Sequence, residues 1–158
     1  MKLLRRKDRG MDVREATELL AAGEYGVLST VGQDAQPYGV PLSYVYRDGA
    51  IYLHCAVEGH KLENIAANPR VSFCVVGKTR VLPEKFATEY ESVIAFGSAS
   101  EVAGEEKKSA LLWLVEKYSP DFLPEGRKYI ESSHDSTRVV KVAIDHLSGK
   151  ARRSSGHG

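Results

Sequence analysis

The chain has 158 residues, 42% hydrophobic and 27% charged, an ordinary balance for one globular domain whose core needs no staples. Lys and Arg number 22 against 21 Asp and Glu; a net charge of +1 gives no support for nucleic acid or an anionic membrane as a bulk partner. Cys55 and Cys74 lie in apolar runs without metal-ligand spacing, so they read as reduced, buried thiols and no metal site is expected. The opening MKLLRRKDRG lacks the apolar stretch of a secretory signal, and no apolar run approaches a membrane span; the expectation is a cytoplasmic protein.

In chain order, Arg5 to Arg9 is a charge cluster of the kind that forms a solvated arm. Asp12 is an N-cap, with Glu15 three residues on, and Val13, Ala16, Leu19 and Leu20 recur at helical spacing up to a C′ stop at Gly23. The pattern then turns to strands. Tyr25 to Val31 is the first and Pro37 to Tyr46 the second. Pro41 inside the second belongs on an edge, at a bulge or facing a ligand, because proline cannot donate to a ladder. Asp48-Gly49 marks a hairpin into Ile51 to Ala56.

The stretch from Glu58 to Asn68 is a short helix with Leu62, Ile65 and Ala66 on one face, stopped by Asn68-Pro69. Val71 to Val76 is a continuous apolar run, consistent with a strand buried on both faces. Thr79 to Glu91 reads as a loop with one helical turn, and Ser92 to Val102 as a strand. Glu105 to Tyr118 is a helix with Trp113 in its core face, Glu125 to Ser132 a last helix, and Thr137 to Ile144 the final strand. Ser148 to Arg153 is a basic exit. Residues 1–153 form one domain and 154–158 a disordered tail. Hairpin-linked strands with one short helix favour an antiparallel barrel flanked by helices over a doubly wound parallel sheet.

Four stretches carry a family resemblance: Tyr25 to Thr30, Pro37 to Tyr44, Ile51 to Ala56 with Gly59 to Leu62, and Tyr90 to Gly97, with an echo in Ile144 to Lys150. In their order and spacing, residues from Met11 to Arg153 resemble the pyridoxamine 5′-phosphate oxidase-like superfamily of FMN-binding split barrels. The nitroimidazole-resistance (Nim) branch is the nearest match. The resemblance implies a mainly β fold with flanking helices, an antiparallel split β-barrel. It also implies a homodimer with two flavin sites at its interface.

The candidate site follows. Gly59 permits an unusual backbone angle before a helix whose first turn holds His60 and Lys61. Helix N–H groups, a lysine charge and a histidine donor suit a phosphate; the bland alternative is a solvated His-Lys pair. An Arg-Lys pair is usual here in the larger family. Val40, Pro41, Leu42 and Ser43 would set backbone groups and small side chains beside a flavin ring, or else form a plain edge strand. His54 reads either as a structural histidine or, through the resemblance, as the residue facing the cofactor that donates a proton or orients substrate; Cys55 and Ala56 adjoin it. Glu91 and Ser92, by resemblance, reach the partner subunit's flavin.

Two function classes result. The first is an FMN-dependent oxidoreductase reducing small molecules such as nitroaromatic or quinone-like compounds. Since the chain has no Gly-rich dinucleotide loop, a reduced nicotinamide would dock transiently over the flavin. The second is a non-catalytic module holding haem, a deazaflavin or pyridoxal phosphate, with His54 or His60 as axial ligand to a haem. An empty dimeric scaffold acting through partners is a third.

Overall fold

In the computed structural model, which describes residues 4–56 and 59–153, the Asp12 carboxylate accepts the Glu15 backbone N–H at 2.8 Å and opens helix α1, Val13–Ala22. Helix α1 buries Ala16 and Leu20. Gly23 follows it with φ −62°, extended rather than left-handed. The glycine is needed for another reason: a Cβ there would collide with the Tyr44 hydroxyl and a Val75 methyl. Residues 4–10 are not a free arm. Gly10 bridges to Lys150, and the Met11 N–H donates to the Gly149 carbonyl at 2.9 Å. Glu58, expected at the head of the short helix, and the tail 154–158 lie outside the described residues.

Seven strands form one antiparallel sheet. They are β1 (Gly26–Val31), β2 (Pro37–Leu42), β3 (Val45–Arg47), β4 (Ala50–Ala56), β5 (Arg70–Leu82), β6 (Ala87–Val102) and β7 (Thr137–Arg152). Their order is β2-β1-β5-β6-β7-β4-β3, and β2 and β3 are its two edges. The sheet curls around a core that includes Leu20, Leu28, Leu53, Phe73, Val93 and Val140 without closing, which is a split barrel. Helix α2 (His60–Ala67) docks on β1, where buried Asn64 Nδ2 donates to Thr30 Oγ1 at 2.9 Å. Helices α3 (Gly104–Tyr118) and α4 (Leu123–Ser133) lie outside. Helix α3 packs on the outer face of β3 and β4 through a second core that contains Val45, Tyr52, Leu111, Leu114 and Val139.

The segment from Pro37 to Tyr46 is not one strand. It breaks at Ser43-Tyr44, so β2 pairs with β1 at one edge and β3 with β4 at the other. Tyr44 causes the break. Its ring is fully buried, edge-on to Phe73 at 4.7 Å, and its hydroxyl donates to the Leu20 carbonyl at the end of α1. The backbone groups freed by leaving the ladder find partners on α3. Tyr118 Oη accepts the Tyr44 N–H at 3.0 Å and donates to the Glu24 carbonyl at 2.6 Å, while Lys117 Nζ donates to the Tyr44 carbonyl at 2.8 Å.

Other expectations hold or shift. Pro41 is on an edge strand, and the Asp48-Gly49 turn has positive φ at both residues, 47° and 80°, as a tight hairpin requires. Val71 to Val76 is not buried on both faces: Val71, Phe73 and Val75 point inward, whereas Val76 is 59% exposed. Residues 79–91 are a hairpin rather than a loop. β5 and β6 stay paired out to Leu82 and Ala87 around a 3-10 turn, Pro83–Lys85. The basic exit is the second half of β7.

Two outcomes test the Tyr44 junction. Tyr44→Phe leaves the Leu20 carbonyl without its donor and should cost about 1–3 kcal/mol in urea unfolding. Burial pulls Lys117 down to about 8 from 10.5, so over that window the folded state binds fewer protons than the unfolded chain, and the contribution of Lys117 to stability rises with pH. Lys117→Met should lack that rise when unfolding curves of the two proteins are compared on either side of pH 8.

Candidate functional site

The outward residues of β4 alternate with its core residues. Ile51, Leu53 and Cys55 point into the barrel; Tyr52 and His54 point the other way, towards α3. Tyr52 is covered by Trp113, with ring centres 5.3 Å apart. His54 lies beyond that cover and opens into a cavity of about 620 Å³ walled by α3 and α4. Ser43, at the strand break, lines the same cavity, as does Thr137 at the start of β7. Helix α4 contributes Glu125, Tyr129 and Ser133 at helical spacing. Gly126 lets it approach α3 closely, since a Cβ there would strike Val115.

Behind His54 is the start of α2. No side chain caps its N-terminus at Gly59, so its first N–H groups keep no side-chain partner. Gly59 has φ 162°, extended backbone open to any residue, and a Cβ there would meet nothing; the unusual backbone angle expected of it is absent. The His60 ring stacks on Tyr38 of β2, centroids 4.3 Å apart, and this ties the helix start to the strand that carries Pro41. Lys61 is half-buried and forms no ion pair among the described residues. Burial, and then the Lys61 charge, hold the His54 imidazole below the ordinary histidine range, so it is neutral at pH 7. Burial pushes the Cys55 thiol up, which removes it as a nucleophile.

The expected residues therefore fall into three groups. Ser43 and His54 line one cavity and the Lys61 charge acts on His54, whereas exposed His60 lines a separate cleft with Asp34 and Glu63, and Ala56 is exposed. The side chains of Val40, Leu42 and Cys55 belong to the barrel core, so only their backbone faces outward, while Pro41 points out of the sheet. Glu91 and Ser92 are elsewhere. On β6 the position aligned with His54 through Val139 of β7 is Val102, eleven residues beyond Glu91, or ~36 Å along an extended strand. Glu91 is instead paired with Arg153 at 3.2 Å, which also reaches Glu15 at 3.3 Å. No metal-binding cluster occurs among the described residues.

The aromatic wall, Tyr118, Phe122 and Tyr129, was missed by the sequence reading. Its signal was present, since 122, 126, 129 and 133 share one helical face.

This sheet, with β-strands open at one seam and helices over one flank, defines a split-barrel protein. Residues 12–151 match the pyridoxamine 5′-phosphate oxidase family, and the chain belongs to that family of flavin-binding split barrels. Among solved structures it is similar to three that bear on the site. A candidate 5-nitroimidazole antibiotic resistance protein from Bacteroides thetaiotaomicron is 22% identical, with TM-score 0.73 over 90% of this chain and 86% of that one. An FAD-binding protein from Mesorhizobium loti is 26% identical, with TM-score 0.66 over 92% and 98%. An FAD- and haem-binding protein from Mycobacterium smegmatis is 18% identical, with TM-score 0.79 over 93% and 74%. A search of curated protein sequences found no match.

The coupling of His54 to Lys61 has a direct readout. Lys61→Ala removes a repelling charge, so the His54 pKa measured by NMR titration should rise towards the free value while staying below it, because burial remains.

Proposed function

We propose that the chain is an FMN-dependent oxidoreductase that acts as a cytoplasmic homodimer and reduces small molecules, nitroaromatic compounds such as nitroimidazoles among them, with a reduced nicotinamide as donor. The observation that carries this reading is the Lys61 charge at an uncapped helix start, close enough to act on His54, whose ring with Ser43 lines a cavity of about 620 Å³. The donor set fits FMN. Lys61 and the first N–H groups of α2 would hold the phosphate, and Gly59, which the fold itself does not require, allows close approach. Bound FMN would supply hydride and electron transfer, chemistry that no side chain offers. The chain's own part is to orient and to hydrogen-bond. Neutral His54 holds one ring N–H beside the cavity, where it can donate to an acceptor as that acceptor gains electrons. The Ser43 hydroxyl gives a second polar contact.

Two features support a dimer. Pro41, Val27, Cys74 and Ile94 are register neighbours across four strands and make an apolar row on the outer face of the sheet. Glu91 and Ser92, too far along β6 to join His54 within one chain, would reach a flavin only from a second copy. No helix among the described residues is long and apolar enough to cross a membrane.

One observation favours a second reading. His54 faces an apolar-walled chamber, as an axial ligand to a haem would, and a similar structure binds haem as well as FAD.

The absorbance spectrum of the purified protein separates the two. Flavin bands with FMN released on denaturation are the expected outcome. A Soret band supports haem instead, and a colourless protein that takes up no added FMN overturns both. Lys61→Ala should weaken FMN by about 1–3 kcal/mol in a fluorescence titration; unchanged affinity removes Lys61 from the phosphate site.

A further inference from the structure

The cavity beside His54 is walled by α3 and α4 and lined by no residue of α2, and its wall differs in character from the helix start at Lys61. Tyr118, Phe122 and Tyr129 bring three aromatic rings to it, each 37–69% exposed. Among the described residues Glu125 is the single one of fixed charge in the lining, and it pairs with no cation there. Among the described residues no Lys or Arg lines the cavity. Lys117 does not line the cavity; its Nζ donates to the Tyr44 carbonyl and sits over the Tyr44 ring at 3.9 Å and, behind the wall, 5.1 Å from the centre of the Tyr118 ring, which leaves Phe122 and Tyr129 as the rings without a cation. His54, held neutral, adds no positive charge.

Aromatic faces are electron-rich and attract cations, and an unpaired carboxylate beside them does the same. An anionic ligand would meet a carboxylate there with nothing to neutralise it. The two places thus have opposite preferences: the start of α2 suits a phosphate, and the α3–α4 cavity does not.

The geometry points to the α3–α4 chamber as the seat of a second molecule, distinct from the flavin: a flat, apolar ring that carries a positive charge or an amine. That this molecule exchanges electrons with FMN rests on the reading above; that it binds does not. Glu125 and Phe122 set its selectivity, and Ser43 and Thr137 line the end of the chamber nearest His54.

The test uses three flat probes of similar size, N-methylquinolinium, quinoline and 2-naphthoate, titrated by calorimetry into the FMN-saturated protein and into the flavin-free protein. The cation should bind about tenfold more tightly than the anion, with the neutral ring between them. Glu125→Gln should shrink the preference for cation over anion to about threefold or less, and Phe122→Ala should weaken the cation by a similar factor. Both residues are exposed, so neither variant should disturb the fold, and far-ultraviolet circular dichroism checks this. Equal binding of the three probes, a preference for the anion, or a cation preference unchanged in Glu125→Gln overturns the inference. Competition between FMN and N-methylquinolinium in the flavin-free protein also overturns it, because the chamber would then be the flavin's own seat. If the chain takes no FMN at all, the oxidoreductase reading fails, and the titrations of the flavin-free protein still decide this one.

Discussion

The structure turns on the burial of Tyr44. A tyrosine ring set among Leu20, Leu28 and Phe73 forces the chain to leave one edge of the sheet and resume at the other. The hydroxyl at its inner end must find an acceptor in an apolar surround, and the Leu20 carbonyl, left open at the end of α1, supplies it. The amide groups on either side lose their ladder partners and are taken by Lys117 and Tyr118. One residue thereby joins α1, the strand break and the end of α3, and the seam of the split barrel follows from it.

That junction also sets the site. Ser43 precedes Tyr44 and is left at the seam, on the side where α3 ends. β3 begins one residue later and turns at Asp48-Gly49 into β4, whose alternation brings His54 to the same side. The hairpin fixes which residues of β4 face inward: a register shift of one residue would exchange Cys55 and His54 between core and cavity. The polar end of the site has a separate origin, in the docking of α2 on β1 through Asn64 and Thr30 and in the His60–Tyr38 stack.

The charge layout separates two kinds of surface. Most of the ion pairs, such as Arg70 with Asp145 and Arg138 with Glu101, are exposed and contribute little to stability. The groups around the opening behave differently because they are unpaired among the described residues: burial and then the Lys61 charge depress His54, and exposed Glu125 has no cationic partner beside its aromatic wall. A folded chain keeps such unpaired groups at little cost only where solvent or a ligand can reach them.

Much of this was legible in the residues taken one stretch at a time. The bounds of α1, the Asp48-Gly49 hairpin, the edge position of Pro41 and the short helix after Gly59 are local events, decided by capping, turn and proline chemistry within a few residues. The grouping of Ser43, His54 and Lys61 came from a family likeness rather than from spacing. What the linear chain could not reveal depends on partners distant in sequence. The apolar run from Pro37 to Tyr46 has the same alternation whether it is one strand or two, and only the buried seat for Tyr44, made by Leu20 and Phe73, divides it. Residues 79–91 look loop-like because their polarity is mixed, yet β5 and β6 carry their pairing through them from an established ladder. The aromatic wall of the cavity exists because α4 folds back on α3, with Gly126 against Val115; helical spacing shows which residues of α4 share a face, but not that this face meets α3.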